Sequence, residues 1–224
     1  MIVAVCGLHG GSGTTTLATL LARAAARQAP GAVLLCEVSS AAGSLADAVD
    51  ATSPYDLAGL ADLVSRGRRP SETPWIDLAD RLRILARPPR PPSPIPAEAL
   101  RQVLADADTA HDLVVVDAGP LTSTTAAHVV LASATQVLWT VDSTAVTNRC
   151  RRLLAGHVCS SARGARWLLG VNATGRDGAS LPSDQLASLH PSLVATVLVP
   201  RVGHLGEDDP SRDLSGMQLL NALR

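Results

Sequence analysis

The chain has 224 residues, a formal net charge of -1 and 46% apolar residues, with neither lysine nor phenylalanine. That balance builds a sizeable core and gives no bulk attraction to nucleic acid. No apolar run approaches the ~18 residues of a membrane-spanning helix. The core must come from Leu, Val, Ile and Ala, and all 19 basic residues are arginine. Cys6, Cys36, Cys150 and Cys159 lack close metal spacing. Three of them follow or sit in apolar runs and read as small core residues, which fits a reducing, cytoplasmic compartment.

Ile2–Cys6 is a continuous apolar run and predicts a strand buried on both faces of a parallel sheet. It leads straight into glycines, leaving no room for a secretory signal. Thr15–Arg27 predicts a helix with Leu17, Leu20, Leu21 and Ala24 on one face, ended by Pro30-Gly31. Ala32–Val38 predicts a second strand, while Ser39–Val49 has no clear period. Tyr55–Ser65 reads as a short helix and Gly67–Pro74 as a basic turn. Leu82–Ala86 reads as a short strand near a sheet edge, because arginine interrupts it. Pro88–Pro96 holds six prolines in nine residues and predicts a stiff, extended surface connection.

Beyond it the sequence alternates regularly. Helices are expected at Ala97–Asp108, Thr122–Ala132, Ala145–His157, Ser183–His190 and Ser215–Leu223. Strands are expected at Asp112–Asp117, Gln136–Val141, Arg166–Asn172 and Leu193–Pro200. Alternation of this kind predicts an α/β fold, a single domain over residues 1–224. Its architecture would be a three-layer sandwich around a mostly parallel sheet of about seven strands with right-handed crossovers.

The chemistry concentrates after the first strand. Gly7, Gly10, Gly11 and Gly13 fall within seven residues, and Thr14-Thr15-Thr16 opens the helix. Strand, tight glycine loop and helix is the form of a phosphate-binding loop. Its successive N–H groups make an anion nest, reinforced by the helix N-terminus. Backbone around Gly10–Thr15 can therefore hold a β-phosphate. Thr15 stands where a hydroxyl would touch Mg²⁺. Where such a loop places its lysine there is Thr14, and where its deviant version places a second lysine there is His9. Compositional bias should not remove a residue needed for catalysis, so strong hydrolysis in cis is not expected. Asp117 ends a buried strand and could order a magnesium-bound water or cap a turn. Asn172 ends another, a place where asparagine commonly turns the chain.

The stretch Gly7–Thr16, GLHGGSGTTT, resembles the deviant Walker A loop of the ParA/MinD group of P-loop ATPases, nearest to its CpaE/TadZ-like branch. His9 stands at the signature lysine and Thr14 at the phosphate-loop lysine. Gly10, Gly11, Gly13, Thr15 and Thr16 match the pattern, and Ser12 is its free position. The resemblance implies ATP or ADP with Mg²⁺, held by Gly10, Gly11, Ser12, Gly13, Thr14, Thr15 and Thr16. It also implies Thr15 and Asp117 at the metal and Asn172 near the adenine. Pro200-Arg201 matches a base-lining position, and Glu37 lies in the region of a water-activating aspartate. No catalytic residue is assigned.

The function implied is a localisation or assembly accessory with weak or absent ATPase activity. It would work as a homodimer or on a secretion, pilus or positioning apparatus, and reach membrane assemblies through partners. Two alternatives stay open: an ATPase completed by an arginine, and a nucleotide-free scaffold. Arg149, Arg151 and Arg152 read as a solvated helix face. His111 and His128 read as surface or turn residues. Met217, Leu219, Leu220 and Leu223 read as a helix packed on the sheet rather than on a membrane.

Overall fold

A computed structural model describes residues 1–38, 45–70, 73–86, 94–121, 124–142, 152–156, 159–162, 164–172, 190–199 and 210–224. Eight strands make one sheet: β1 (Ile2–Gly7), β2 (Val33–Glu37), β3 (Ile76–Ala79), β4 (Leu82–Leu85), β5 (Leu113–Pro120), β6 (Gln136–Asp142), β7 (Arg166–Asn172) and β8 (Leu193–Val199). Their order is β3-β4-β2-β5-β1-β6-β7-β8. Every neighbouring pair is parallel except β3 with β4. The helices are α1 (Thr14–Gln28), α2 (Leu45–Val49), α3 (Leu57–Ser65), α4 (Ala97–Ala110), α5 (Thr125–Ser133) and α6 (Pro210–Leu223), with a short 3-10 turn at Cys159–Ala162.

This is the α/β, mostly parallel architecture expected, with one more strand than the sequence suggests. The additional strand is β3, four residues with alternating half-buried Ile76 and Leu78. It hairpins onto β4 through Arg81, whose φ is 62°. A half-exposed edge strand carries little apolar signal, so only β4 stands out in the sequence. α2 is equally short, and α6 begins five residues before the expected Ser215. The expected helices at Ala145–His157 and Ser183–His190, the Pro88–Pro96 segment and Pro200-Arg201 lie mostly or wholly outside the described residues; of the first, residues 152–154 are helical.

Burial on both faces explains the continuous apolar strands. In β1, Ile2, Ala4 and Cys6 face a core completed by α3, α4 and α5. Val3 and Val5 face the opposite core, built on α1 and α6. In that second core Leu17 and Leu21 of α1 are fully buried, and Leu219, Leu220 and Leu223 of α6 are buried against them and the sheet. Truncating a side chain such as Leu17 to alanine would cost about 2–5 kcal/mol. α6 therefore packs onto α1 and the sheet, as its leucines predict. Gly216 permits this: a Cβ there would lie 2.6 Å from the Leu20 carbonyl oxygen and 2.9 Å from Ala24 Cβ.

The strand order reverses about β1, with β2 to β5 on one side and β6 to β8 on the other. Parallel sheets bind ligands beyond the carboxyl ends of strands at such a switch point. The loop between β1 and α1 occupies that position.

Candidate functional site

The loop is clamped at its entry. Leu8 N–H donates to the Thr140 carbonyl at 2.9 Å, and Leu121 N–H donates to the Gly7 carbonyl at 2.6 Å. β1 is thereby tied to both neighbours, β6 and β5. Gly11 and Gly13 have φ of 77° and 84°, left-handed values that L side chains rarely adopt. Gly13 precedes α1 with no side-chain cap, and the first turn carries no acid. Among the described residues, the N–H groups of residues 10–16 have no protein acceptor. A Cβ on Gly10 or Gly11 would meet nothing within 4 Å. The loop thus presents unpaired donors beside open space, which fits an anion.

Thr15 and Asp117 meet. Thr15 Oγ1 donates to Asp117 Oδ2 at 2.6 Å, and Gly119 N–H donates to Oδ1 at 3.0 Å. Burial pushes the Asp117 carboxyl above the usual carboxylate range, against the pull of these two hydrogen bonds. A hydroxyl and a carboxylate in contact beside unpaired amides suit Mg²⁺, which keeps few protein ligands and takes the rest from phosphates and water. Among the described residues no group of three or more His, Cys, Asp or Glu could hold a metal unaided.

The two lysine positions are turned away from that role. Thr14 is buried, and its hydroxyl lies 3.2 Å from Ser12 Oγ and 3.1 Å from Thr140 Oγ1. His9 Nδ1 donates to the Gly10 carbonyl at 2.9 Å. Its Nε2 lies 3.3 Å from Asp142 Oδ2 without hydrogen-bond alignment. These residues fit a magnesium-bound phosphate chain in every respect but one: no ammonium reaches it from position 9 or 14.

Asn172 is brought to the loop from the end of β7, where a Cβ on Gly13 would run into its amide. Glu37 pairs in register with Asp117 and accepts from Leu45 N–H at 3.2 Å, which anchors the start of α2. Arg152 is exposed, while positions 149 and 151 lie outside the described residues. His111 and His128 go to separate partners, Arg83 and Ser161. Thr140 and Asp142 escape the sequence reading; the one signal was a threonine inside the apolar run QVLWTVD.

No protein-family model matches the sequence, and no curated protein matches it either. Comparison of structures does find likenesses. MinD cell division protein from Aquifex aeolicus aligns with a TM-score of 0.73 at 18% identity, covering 99% of this chain and 96% of that one. A ParA family ATPase from Chlorobium tepidum gives 0.71 at 18% identity, with coverage of 99% and 90%. The chain has the ParA/MinD fold. Cobyrinic acid a,c-diamide synthase from Mycobacterium smegmatis, solved with ADP and magnesium, gives 0.67 at 16% identity, with coverage of 99% and 93%. In this ParA/MinD fold the loop, Thr15, Asp117 and Asn172 lie toward the carboxyl ends of the internal strands β1, β5 and β7. Among the described residues no helix is long and apolar enough to cross a membrane.

Proposed function

We propose that the chain is a CpaE/TadZ-like accessory or localisation protein on a ParA/MinD fold. It binds ADP or ATP with Mg²⁺ through a lysine-free loop and has weak or absent ATPase activity. One observation carries this reading: the Thr15–Asp117 contact is intact while the Thr14 hydroxyl is committed to Ser12 and Thr140. The machinery for holding a magnesium nucleotide is kept and the cation for moving a phosphoryl group is missing. In phosphoryl transfer that cation is a large electrostatic contribution.

Bound nucleotide would take the N–H groups of residues 10–16 around its phosphates. Mg²⁺ would take Thr15 and Asp117, and Asn172 would lie beside the base. Magnesium would supply charge neutralisation; the chain's own part is to orient and hold. The partner is a second copy of the chain or a component of a secretion, pilus or positioning apparatus. A nucleotide-sensitive homodimer is the assembly the resemblance implies, and it would lack a lysine reaching across it, because position 9 is a histidine whose Nδ1 is bonded to the Gly10 carbonyl of its own chain.

Titration calorimetry with ADP and ATP, with Mg²⁺ and with chelator, tests the reading. Binding that needs Mg²⁺, together with phosphate release no faster than that of a Gly13→Ala/Thr15→Ala double variant, is expected. No heat at millimolar nucleotide would reject it in favour of a scaffold. Turnover well above the double variant would reject it in favour of an ATPase completed by an arginine. Light scattering with and without Mg-ATP reads the dimer.

A further inference from the structure

We propose that Thr140, a strand residue outside the loop, is the positioning residue of the phosphate cradle. It acts through a closed ring of three hydroxyls with Ser12 and Thr14. The proposal rests on the reading that the loop receives the phosphates of a nucleotide.

The three oxygens form a triangle. Ser12 Oγ and Thr140 Oγ1 are 2.9 Å apart, Thr14 Oγ1 and Thr140 Oγ1 3.1 Å, and Ser12 Oγ and Thr14 Oγ1 3.2 Å. Ser12 is 1% exposed, Thr14 8% and Thr140 fully buried. Each hydroxyl has one proton to donate and lone pairs to accept with. Three donors and three contacts close a ring in which every proton is used once. A buried hydroxyl is costly unless bonded, and this ring satisfies all three.

The ring sits against Gly7, where a Cβ would strike Ser12 Oγ and lie 2.6 Å from Thr14 Oγ1. Gly7 therefore makes room for it. Ser12 and Thr14 flank Gly13, whose φ of 84° directs the chain into α1. Thr140 also holds the loop's entry, because its carbonyl accepts from Leu8 N–H at 2.9 Å. One residue of β6 thus fixes the loop where it leaves β1 and where it enters α1. In register, Thr140 lies beside Gly7. The unpaired N–H groups of residues 10–13 lie between these fixed points and those of residues 14–16 follow directly from them. The ring and the Leu8–Thr140 bond thus hold the cradle from both of its ends through contacts within the protein.

Two conservative variants test this. Thr140→Val keeps the shape and removes the hydroxyl; Thr140→Ser keeps the hydroxyl and removes the methyl. Amide hydrogen exchange of the ligand-free protein is followed at residues 8–16 and in β1, β5 and β7, and Mg-ADP affinity is measured by calorimetry. Thr140→Val should speed exchange at residues 8–16 by about tenfold, leave the strands unchanged and weaken Mg-ADP by about tenfold, the scale of a lost buried hydrogen-bond partner. Thr140→Ser should restore both. The proposal is overturned if Thr140→Val exchanges like the wild type, if Thr140→Ser behaves like Thr140→Val, or if faster exchange spreads through the sheet. Absence of Mg-ADP binding by the wild type removes the nucleotide reading, and the exchange comparison still decides whether the ring holds the loop. Should Thr140→Val fail to fold, Ser12→Ala opens the same ring from the loop side and is read in the same two ways.

Discussion

The Thr15 hydroxyl and the Asp117 carboxylate are joined by a 2.6 Å hydrogen bond that ties the first turn of α1 to the carboxyl-terminal half of β5. Burial disfavours the charge that this contact and the Gly119 N–H help to hold. The two partners should therefore respond oppositely. Asp117→Asn removes a buried charge and should raise the melting temperature of the ligand-free protein by about 2–4 °C at neutral pH, on the order of 1 kcal/mol. Thr15→Val strips a donor from a buried carboxylate and should lower it by a similar or larger amount. Both should abolish magnesium-dependent nucleotide binding. Thermal melts and calorimetry on the two variants read both effects, and a melting temperature that falls in Asp117→Asn would refute the account of its burial.

Two glycines separate stability from binding. A Cβ at Gly216 meets the backbone of α1, so Gly216→Ala must push two helices apart. It should destabilise the protein by about 1–3 kcal/mol, as overpacking does. A Cβ at Gly10 meets nothing within 4 Å and projects into open space by the loop. Gly10→Ala should leave the melting temperature nearly unchanged and weaken Mg-ADP by crowding its phosphates. Equal losses of stability in the two variants would contradict this division.

His111 supplies a pH dependence remote from the loop. Its Nδ1 donates to the Ala107 carbonyl at 2.9 Å, leaving Nε2 to accept from Arg83 Nη1 at 3.4 Å. Trp75 packs against the ring edge-on at 4.9 Å. Burial above all, and Arg83 beside it, hold the imidazole below its usual 6.5, against the Ala107 bond. The unfolded chain therefore takes up the proton first on acidification. The stability that the neutral ring contributes is complete above 6.5 and is lost as pH falls below it through the folded-state value. Melting temperatures from pH about 7.5 to about 5 should fall less steeply in His111→Gln than in the wild type.

Much of this was legible in the residues because it depends on short range. Ile2–Cys6 is apolar throughout since both faces are buried, and Gly11 and Gly13 announce backbone that needs positive φ. Asp117 and Thr15 could be named separately, from the close of an apolar run and the start of a helix, although β5 in fact continues past Asp117 to Pro120. Their contact spans 102 positions and is a product of the fold. β3 and α2 were not legible because four- and five-residue elements carry too little periodicity. Thr140 was not legible because a threonine in a strand is ordinary until Ser12 and Thr14 are seen to reach it across β1 and β6. The orientation of His9 toward its own Gly10 and Asp142 likewise follows from β6 ending beside the loop.

The buried thiols connect stability to the candidate site. Cys6, Cys36 and Cys159 are each at most 1% exposed. Burial pushes the Cys6 and Cys36 thiols far up, and the Cys159 thiol up to about 12. Thiolate is the reacting form, so these three should react with a thiol reagent at mildly alkaline pH only when the protein opens. Labelling followed by mass spectrometry should give three slow sites in native protein and fast reaction at all four cysteines in denaturant. Cys6 directly precedes Gly7 and the loop. If labelling proceeds by global unfolding, saturating Mg-ADP should slow Cys6, Cys36 and Cys159 by the same factor, since ligand binding multiplies the folded population. If the loop opens on its own, Mg-ADP should slow Cys6 more than Cys36 or Cys159. Rapid labelling of Cys36 in the native protein would contradict the burial of β2 between β4 and β5 and overturn the packing on which both outcomes depend.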